Sequence, residues 1–198
     1  MESERELLNA ARTMDKDALV KIFDLYSQPL YRYALRLCGD PLLADQIVGD
    51  VFAKLLDQFA AGHGPSTALR SYLYETVYHR TIDEARSTRR KAPLDIAEWL
   101  PQDSQAGHSG LEDHVLFNQI LHAIENYLTE DQRHVIVLHF LEGFPLGETA
   151  AIIGKKADHV RVIQSRAITK LRKVLATQGS RFITPLPATG EQPKSLRI

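Results

Sequence analysis

One cysteine, Cys38, stands in 198 residues. That excludes an internal disulfide and a thiolate zinc cluster, and in "YALRLCGD" it reads as a small buried hydrophobe. No apolar run approaches the ~18 residues needed to cross a bilayer. The opening stretch, MESERELLNAARTMDKDAL, mixes both charges and lacks the apolar segment of a secretory signal, so a cytoplasmic location is expected. No segment alternates like a strand, and no internal repeat is visible. A Gly-rich phosphate loop, a His-Glu-x-x-His and a Ser-x-x-Lys are all missing. His134 and His139 are five apart, which misses the spacing of a helical metal pair, and Asp40, Asp45 and Asp50, also five apart, rotate around a helix. Catalysis, a cofactor and a metal are therefore not expected. The chain also lacks net charge: the formal total is -1, too little for a protein that coats nucleic acid unaided.

What is present is helical. Apolar residues make up 44% of the chain and charged residues 25%, enough for two modest helical cores. Segment 2–38 carries Leu19, Ile22, Phe23, Tyr26, Leu30, Tyr33, Ala34 and Leu37 on one stripe, with Asp15 as an N-cap and a kink or break expected near Ser27–Gln28 ahead of Pro29. Asp40–Pro41 is an N-cap followed by proline at the first helical position. The helix it opens places Leu43, Ile47, Val51, Leu55 and Phe59 four apart, with Val48, Phe52 and Leu56 widening the stripe. Its other face is polar and mostly acidic: Asp45, Gln46, Gly49, Asp50, Lys54 and Asp57. After a Gly/Pro loop at 60–67, a helix from about Ser66 to Arg90 carries Leu69, Leu73 and Val77 on one side and becomes basic toward its end, through Arg80, Arg86, Arg89, Arg90 and Lys91.

Residues 92–113 hold five acids and no Lys or Arg, along with prolines, glycines and serines. This is the composition of an interdomain linker, placed at 92–112. Beyond it, Leu111, Val115, Ile120, Leu121 and Ile124 mark a helix. Thr129 and Gln132 form a capping box for a second, which carries Val135, Ile136, Leu138, Phe140 and Leu141. "EGFP" turns the chain, and a short third helix ends at Gly154. The tail, 177–198, is rich in Pro, Thr, Gly and Ser and is expected to be mobile.

The stretch between Gly154 and Lys173 concentrates positive charge, with seven Lys or Arg and one acid. A short helix, a tight turn and a longer basic helix is the layout of a helix-turn-helix. Val160, Ile163, Ala167, Ile168, Leu171 and Leu175 form a packing side. Asp158, His159, Arg161, Val162, Ser165, Arg166 and Thr169 face outward, where residues near the helix start would meet base edges. Lys155, Lys156, Lys170, Arg172 and Lys173 would meet phosphates. In the first half, Tyr72, Tyr74 and Tyr78 interleave with Arg70, Arg80 and Arg86, a combination suited to unstacked bases and their phosphates.

Over residues 15–176 the chain resembles the extracytoplasmic-function (ECF) sigma factors of the bacterial sigma-70 family. The resemblance rests on Leu128, Arg133, Glu142–Gly143, Glu148–Thr149–Ala150, Arg166–Ala167 and Leu171–Arg172, which follow the family's region four. It rests also on "LADQIVGDVFAKLL" and "LRSYLYETVYHRTIDEARSTRR", which are similar to region two. It implies an all-α protein of two small helical domains, 1–91 and 113–176, joined by a flexible linker, the second being a four-helix domain with the helix-turn-helix. It also implies a set of partners: core RNA polymerase, through the clamp of its β′ subunit and the flap of its β subunit, promoter DNA, and an anti-sigma factor or other regulator.

By the same resemblance, Lys155, Lys156, Asp158, His159, Arg161, Val162, Ser165, Arg166 and Lys170 would read the -35 element. His63, Tyr72, Tyr74, His79, Arg80, Arg86, Arg89 and Arg90 would serve the -10 element. Asp45, Gln46, Gly49, Asp50, Lys54 and Asp57 would meet the polymerase clamp. The chain departs from the family pattern at Gln46, where the family has a carboxylate, at His79 for the usual asparagine, at Tyr72 for an aromatic usually Trp, and at Pro145 for the N-cap serine of the third region-four helix. The competing reading is a conventional helix-turn-helix regulator that binds duplex DNA as a dimer. It leaves the basic aromatic helix and the acidic linker without a role.

Overall fold

A computed structural model describes residues 4–91 and 111–182, with side chains described for 4–87 and 116–177. The expected linker therefore lies almost wholly outside the described residues, as do 183–198 of the tail and the side chains of Arg89 and Arg90. Among the described residues every regular element is helical.

The first unit holds α1 (Glu4–Arg12), α2 (Lys16–Cys38), α3 (Pro41–Ala60) and α4 (Leu69–Lys91). The expected helix over 2–38 is two helices, parted by a turn in which Met14 takes a left-handed φ of 63°. Asp15 caps the second, its carboxylate accepting from the Ala18 N–H at 2.9 Å. Of the kink or break expected ahead of Pro29, the break does not occur: α2 runs through it. The Leu25 carbonyl, which loses its partner, belongs to a turn whose side chains face solvent, Leu25 being 59% exposed. Water can serve that carbonyl while buried Ile22, Leu30, Tyr33 and Ala34 hold the helix on either side. Asp40 caps α3 as expected, accepting from the Leu42 N–H at 2.9 Å and the Leu43 N–H at 3.3 Å.

Ile47, Val51, Leu55 and Phe59 of α3 meet Ile22, Leu30 and Tyr33 of α2 and Leu69, Leu73 and Val77 of α4 in the core. Leu7, Leu8 and Ala11 of α1 close one side. Phe23 and Leu56 sit on the expected stripes yet are 51% and 39% exposed, because nothing described covers the outer edge of the α2–α3 pair. The start of α4 falls at Leu69 rather than Ser66, and its first N–H is capped from α1 by the Glu4 carboxylate at 2.9 Å.

The second unit holds α5 (Leu111–Tyr127), α6 (Glu130–Ile136), α7 (Leu146–Ile152) and α8 (Ala157–Phe182). At the start of α6 the Gln132 side-chain oxygen accepts from the Thr129 N–H at 3.2 Å, the return half of the expected capping box. That helix does not end as an ordinary one. Residues Val137–Leu141 widen into a π turn, closed by the Glu142 N–H on the Val137 carbonyl at 2.9 Å. The wider turn shifts the face presented by the last residues, so Phe140, expected in the core, is 53% exposed.

Pro145 opens α7 without a side-chain cap. At the other end, Gly154 adopts φ 64°, the Gly154 N–H reaches the Ala151 carbonyl and the Lys155 N–H reaches the Ala150 carbonyl. This is a Schellman ending, which needs a left-handed residue at that point, and it sets the entry of α8. Val160, Ile163 and Ala167 of α8 are buried against Ile124, Val135, Ile152 and Ile153. The helix runs on to Phe182 and so takes in the first six residues of the expected tail, with Val174 and Leu175 still half-buried.

Candidate nucleic-acid interface

α8 presents the cleaner face. Lys156, Asp158, His159, Arg161, Val162, Ser165, Arg166 and Lys170 are all exposed, and the expected packing side is all buried or half-buried. A helix held along one stripe leaves the opposite stripe free to enter a groove. Arg161 lies over its neighbour Asp158, nitrogen to oxygen 2.6 Å, an exposed pair that a base or phosphate could displace at small cost. Lys155 differs from the rest of this set. It is half-buried and turns back to Asp131 at 3.1 Å, within its own domain.

The residues expected to serve the -10 element are less uniform. His63 lies exposed in the loop after α3. His79 is exposed, 3.7 Å from Glu75, and Arg86 is exposed one turn ahead of the helix end. Tyr72 is half-buried and donates its hydroxyl to Gln58 at 2.8 Å. Arg80 is paired with Asp50 of α3. That contact joins a residue expected on DNA to one expected on polymerase. The rest of the α3 set, Asp45, Gln46, Gly49, Lys54 and Asp57, is exposed.

Tyr74 has no free ring face. It is 1% exposed, its ring meets Phe144 edge-on at 4.8 Å, and its hydroxyl donates to the Glu142 carboxylate at 2.7 Å. Burial and that carboxylate push the phenol pKa up, so it stays protonated as a donor. Both partners belong to the second unit. Around them lies a contact that the sequence did not reveal. The other Glu142 oxygen accepts from Arg36 of α2 at 2.8 Å. The Glu142 carbonyl accepts from Arg70, whose guanidinium lies 3.9 Å from the centre of the Phe144 ring.

Ser71 donates to Glu148 of α7 at 3.1 Å, and Arg133 donates to the Leu37 carbonyl at 3.0 Å. Tyr33 and Nδ1 of His134 share a hydrogen bond at 3.2 Å, with Tyr78 edge-on to the same imidazole at 4.6 Å. Burial, with Arg133 and Lys155 nearby, pulls the His134 pKa down to about 3, so the ring is neutral. The same burial raises the Tyr33 pKa well above its usual value. His139, by contrast, stays within its own domain, on the Phe144 carbonyl at 2.7 Å.

A helix-turn-helix beside a basic aromatic helix is shared by several kinds of DNA-binding protein, and comparison with known proteins decides among them. Residues 22–91 match the family described as Sigma-70 region 2, and residues 126–173 match Sigma-70, region 4. This chain belongs to the ECF sigma factors of the sigma-70 family.

The first match spans α2 to α4 and the second runs from the end of α5 through most of α8, so both candidate faces of this ECF sigma factor fall inside family regions. The ECF RNA polymerase sigma factor BldN of Streptomyces coelicolor is 25% identical over 174 residues, which are 86% of this chain and 65% of that protein. The chain thus spans about two thirds of that relative's length. SigX of Bacillus subtilis is 25% identical over 164 residues, 77% of this chain and 80% of its own. Among solved structures, CnrH in complex with the cytosolic domain of CnrY superposes with a TM-score of 0.66 at 19% identity, covering 88% of this chain and 97% of that one. The sigma factor RpoE of Bartonella quintana, solved with the anti-sigma factor NepR, gives 0.63 at 20% identity, covering 79% and 95%. At these identities the superpositions establish the two-domain helical fold. Among the described residues no helix is long and apolar enough to cross a membrane.

Proposed function

We propose that this ECF sigma factor binds core RNA polymerase and directs it to promoters, with α8 reading the -35 element as duplex and the α3–α4 unit serving the clamp and the -10 element. The observation that carries this reading is the pairing of two different basic faces in one chain. α8 offers a one-sided, solvent-facing helix suited to a major groove. α4 offers the exposed His79 and Arg86 and the half-buried Tyr72, with His63 in the loop before it, a set suited to unpaired bases. The acidic set Asp45, Gln46, Gly49, Asp50, Lys54 and Asp57 then supplies a surface for the basic clamp of the β′ subunit, and the region-four unit docks on the flap of the β subunit. Arg89, Arg90 and the acidic linker complete the assignment from sequence. The protein supplies no chemistry of its own, works beside polymerase in the cytoplasm, and is a target for an anti-sigma protein, as the RpoE of Bartonella quintana is for NepR.

In vitro transcription from a promoter library tests this, with purified core polymerase present or omitted. Initiation that needs both core and this protein, at promoters sharing a -35/-10 pair, is the expected result. Silence with core, together with tight duplex binding by a dimer alone, would overturn it in favour of a conventional regulator.

A further inference from the structure

Of the residues expected on the clamp and on the -10 element, two face each other instead. Arg80 of α4 donates to the Asp50 carboxylate of α3. Both side chains are only partly open to solvent, at 34% and 42%. The Arg80 Nε–H is buried without a hydrogen-bond partner. The guanidinium therefore sits in the seam between the two helices, in a place that does not satisfy it fully. A second polar contact crosses the same seam: Tyr72 of α4 donates its hydroxyl to the Gln58 side chain of α3 at 2.8 Å. The two contacts lie about 12 Å apart along each helix. In the core of the same helix pair are Val51, Leu55 and Phe59 of α3 with Leu69, Leu73 and Val77 of α4.

Apolar packing is non-directional, and it tolerates small shifts of one helix on another. A hydrogen-bonded polar pair does not, and fixing register is the best-attested use of such pairs. We propose that Asp50–Arg80 and Gln58–Tyr72 form a two-rung brace that sets the position of α4 on α3. Asp50 and Arg80 then serve engagement of the -10 strand as positioning residues, not as contacts to polymerase or DNA. The proposal rests on the reading of α3 as the clamp helix and α4 as the -10 helix, and it narrows that reading. With Asp50 engaged, the clamp face of α3 is Asp45, Gln46, Gly49, Lys54 and Asp57, all exposed. With Arg80 engaged, His79 and Arg86 are the described α4 side chains that stand open to a strand. His79 is 60% exposed and adjoins Arg80 in the chain, so the nearer rung governs where its ring stands relative to the clamp face. A half-exposed ion pair adds little stability, and the unpartnered Nε–H subtracts from that little. The weight of the pair lies in geometry.

The test uses the full chain with purified core polymerase and a promoter selected from the library. Asp50→Asn, Arg80→Gln, the double variant and Arg80→Lys are each scored for affinity for core and for the rate of -10 opening, followed by permanganate reactivity of unpaired thymines. Both single variants should leave core affinity and melting temperature as in the parent, and should slow opening by a similar factor, about three- to ten-fold. The double variant should be no slower than either single one. Arg80→Lys should recover most of the rate, because its ammonium can still meet Asp50. Weaker core binding by Asp50→Asn alone, or losses that multiply in the double variant, would overturn the brace and return the two residues to separate contacts. A second readout needs no promoter. In the free protein, Asp50→Asn, although on another helix, should move the His79 ring resonances as Arg80→Gln does, while Arg80→Lys leaves them near the parent. His79 resonances that Asp50→Asn leaves unmoved would also overturn the brace. If the parent fails to initiate with core, the promoter-factor reading fails instead, and the His79 resonances still judge the brace.

Discussion

α8 and α4 are both basic helices assigned to nucleic acid, yet the fold treats them differently. On α8 the outward residues are free or paired only with a neighbour on the same helix, as Arg161 is with Asp158. On α4 the basic and aromatic residues are divided among three surroundings: His79 and Arg86 face solvent, Arg80 is tied to α3, and Arg70 and Tyr74 are tied to the second unit. The cause is where the neighbours lie. α8 packs on its own unit along one stripe. α4 packs on α2 and α3 with one side and on α7 with another. A helix held on two sides has fewer residues left over, and its exposed set no longer follows from periodicity.

Replacing the buried Leu73 of α4, which is fully inaccessible, by Ala should have the largest effect on stability, about 2–5 kcal/mol. Because α4 also contacts the second unit, the loss should lower a single shared unfolding transition rather than one of two. Differential scanning calorimetry of the variant and of Ile163→Ala on α8 would show whether both changes move the same peak. Two separate peaks would break the picture of α4 as a shared element.

On the α8 side, Arg161→Ala should weaken binding to the preferred -35 duplex by about 1–3 kcal/mol and relax preference at one base pair. Competition binding across single-base variants of the duplex checks this, and an equal loss on every sequence would make Arg161 a phosphate contact.

The smallest expected effect comes from His134, at the boundary between the units. Its folded pKa is about 3 against an unfolded value near 6.5, so the unfolded or opened form takes up the proton first. Stability from this group is therefore complete above about pH 6.5 and is lost as pH falls from there toward 3, at ~1.4 kcal/mol per unit. The charged and titratable groups that matter around it are Arg133, Lys155, Tyr33 and Tyr78. Denaturant melts at pH 7 and 5.5 should differ by about 1.2 kcal/mol more for the wild type than for His134→Gln. The comparison stays above the range where most carboxylates protonate.

Much of the candidate site could be read in advance because it is local. The caps at Asp15 and Asp40, the left-handed Gly154 and the two faces of α8 each depend on residues within a few positions of one another. Local sequence left a kink or a break open at Pro29, where α2 runs on unbroken, and was misleading at Phe140, where the π turn rotated a residue out of the core. Tyr33, on the α2 stripe, was correctly placed inside, but the polar end it brings to His134 leaves no mark in the pattern. Glu142 was visible only as part of a family motif, not as the residue that joins the two units.

The sequence by itself determined that this is an all-α chain, where most of its helices begin, and which side of α8 faces outward, because caps and a 3.6-residue period act over short range. Only the tertiary structure decided that Tyr74 and Arg70 are hidden and that Arg36 meets Glu142. Those two residues are 106 positions apart. No periodicity connects them, and their attraction exists only after two separately formed helical units have been brought face to face.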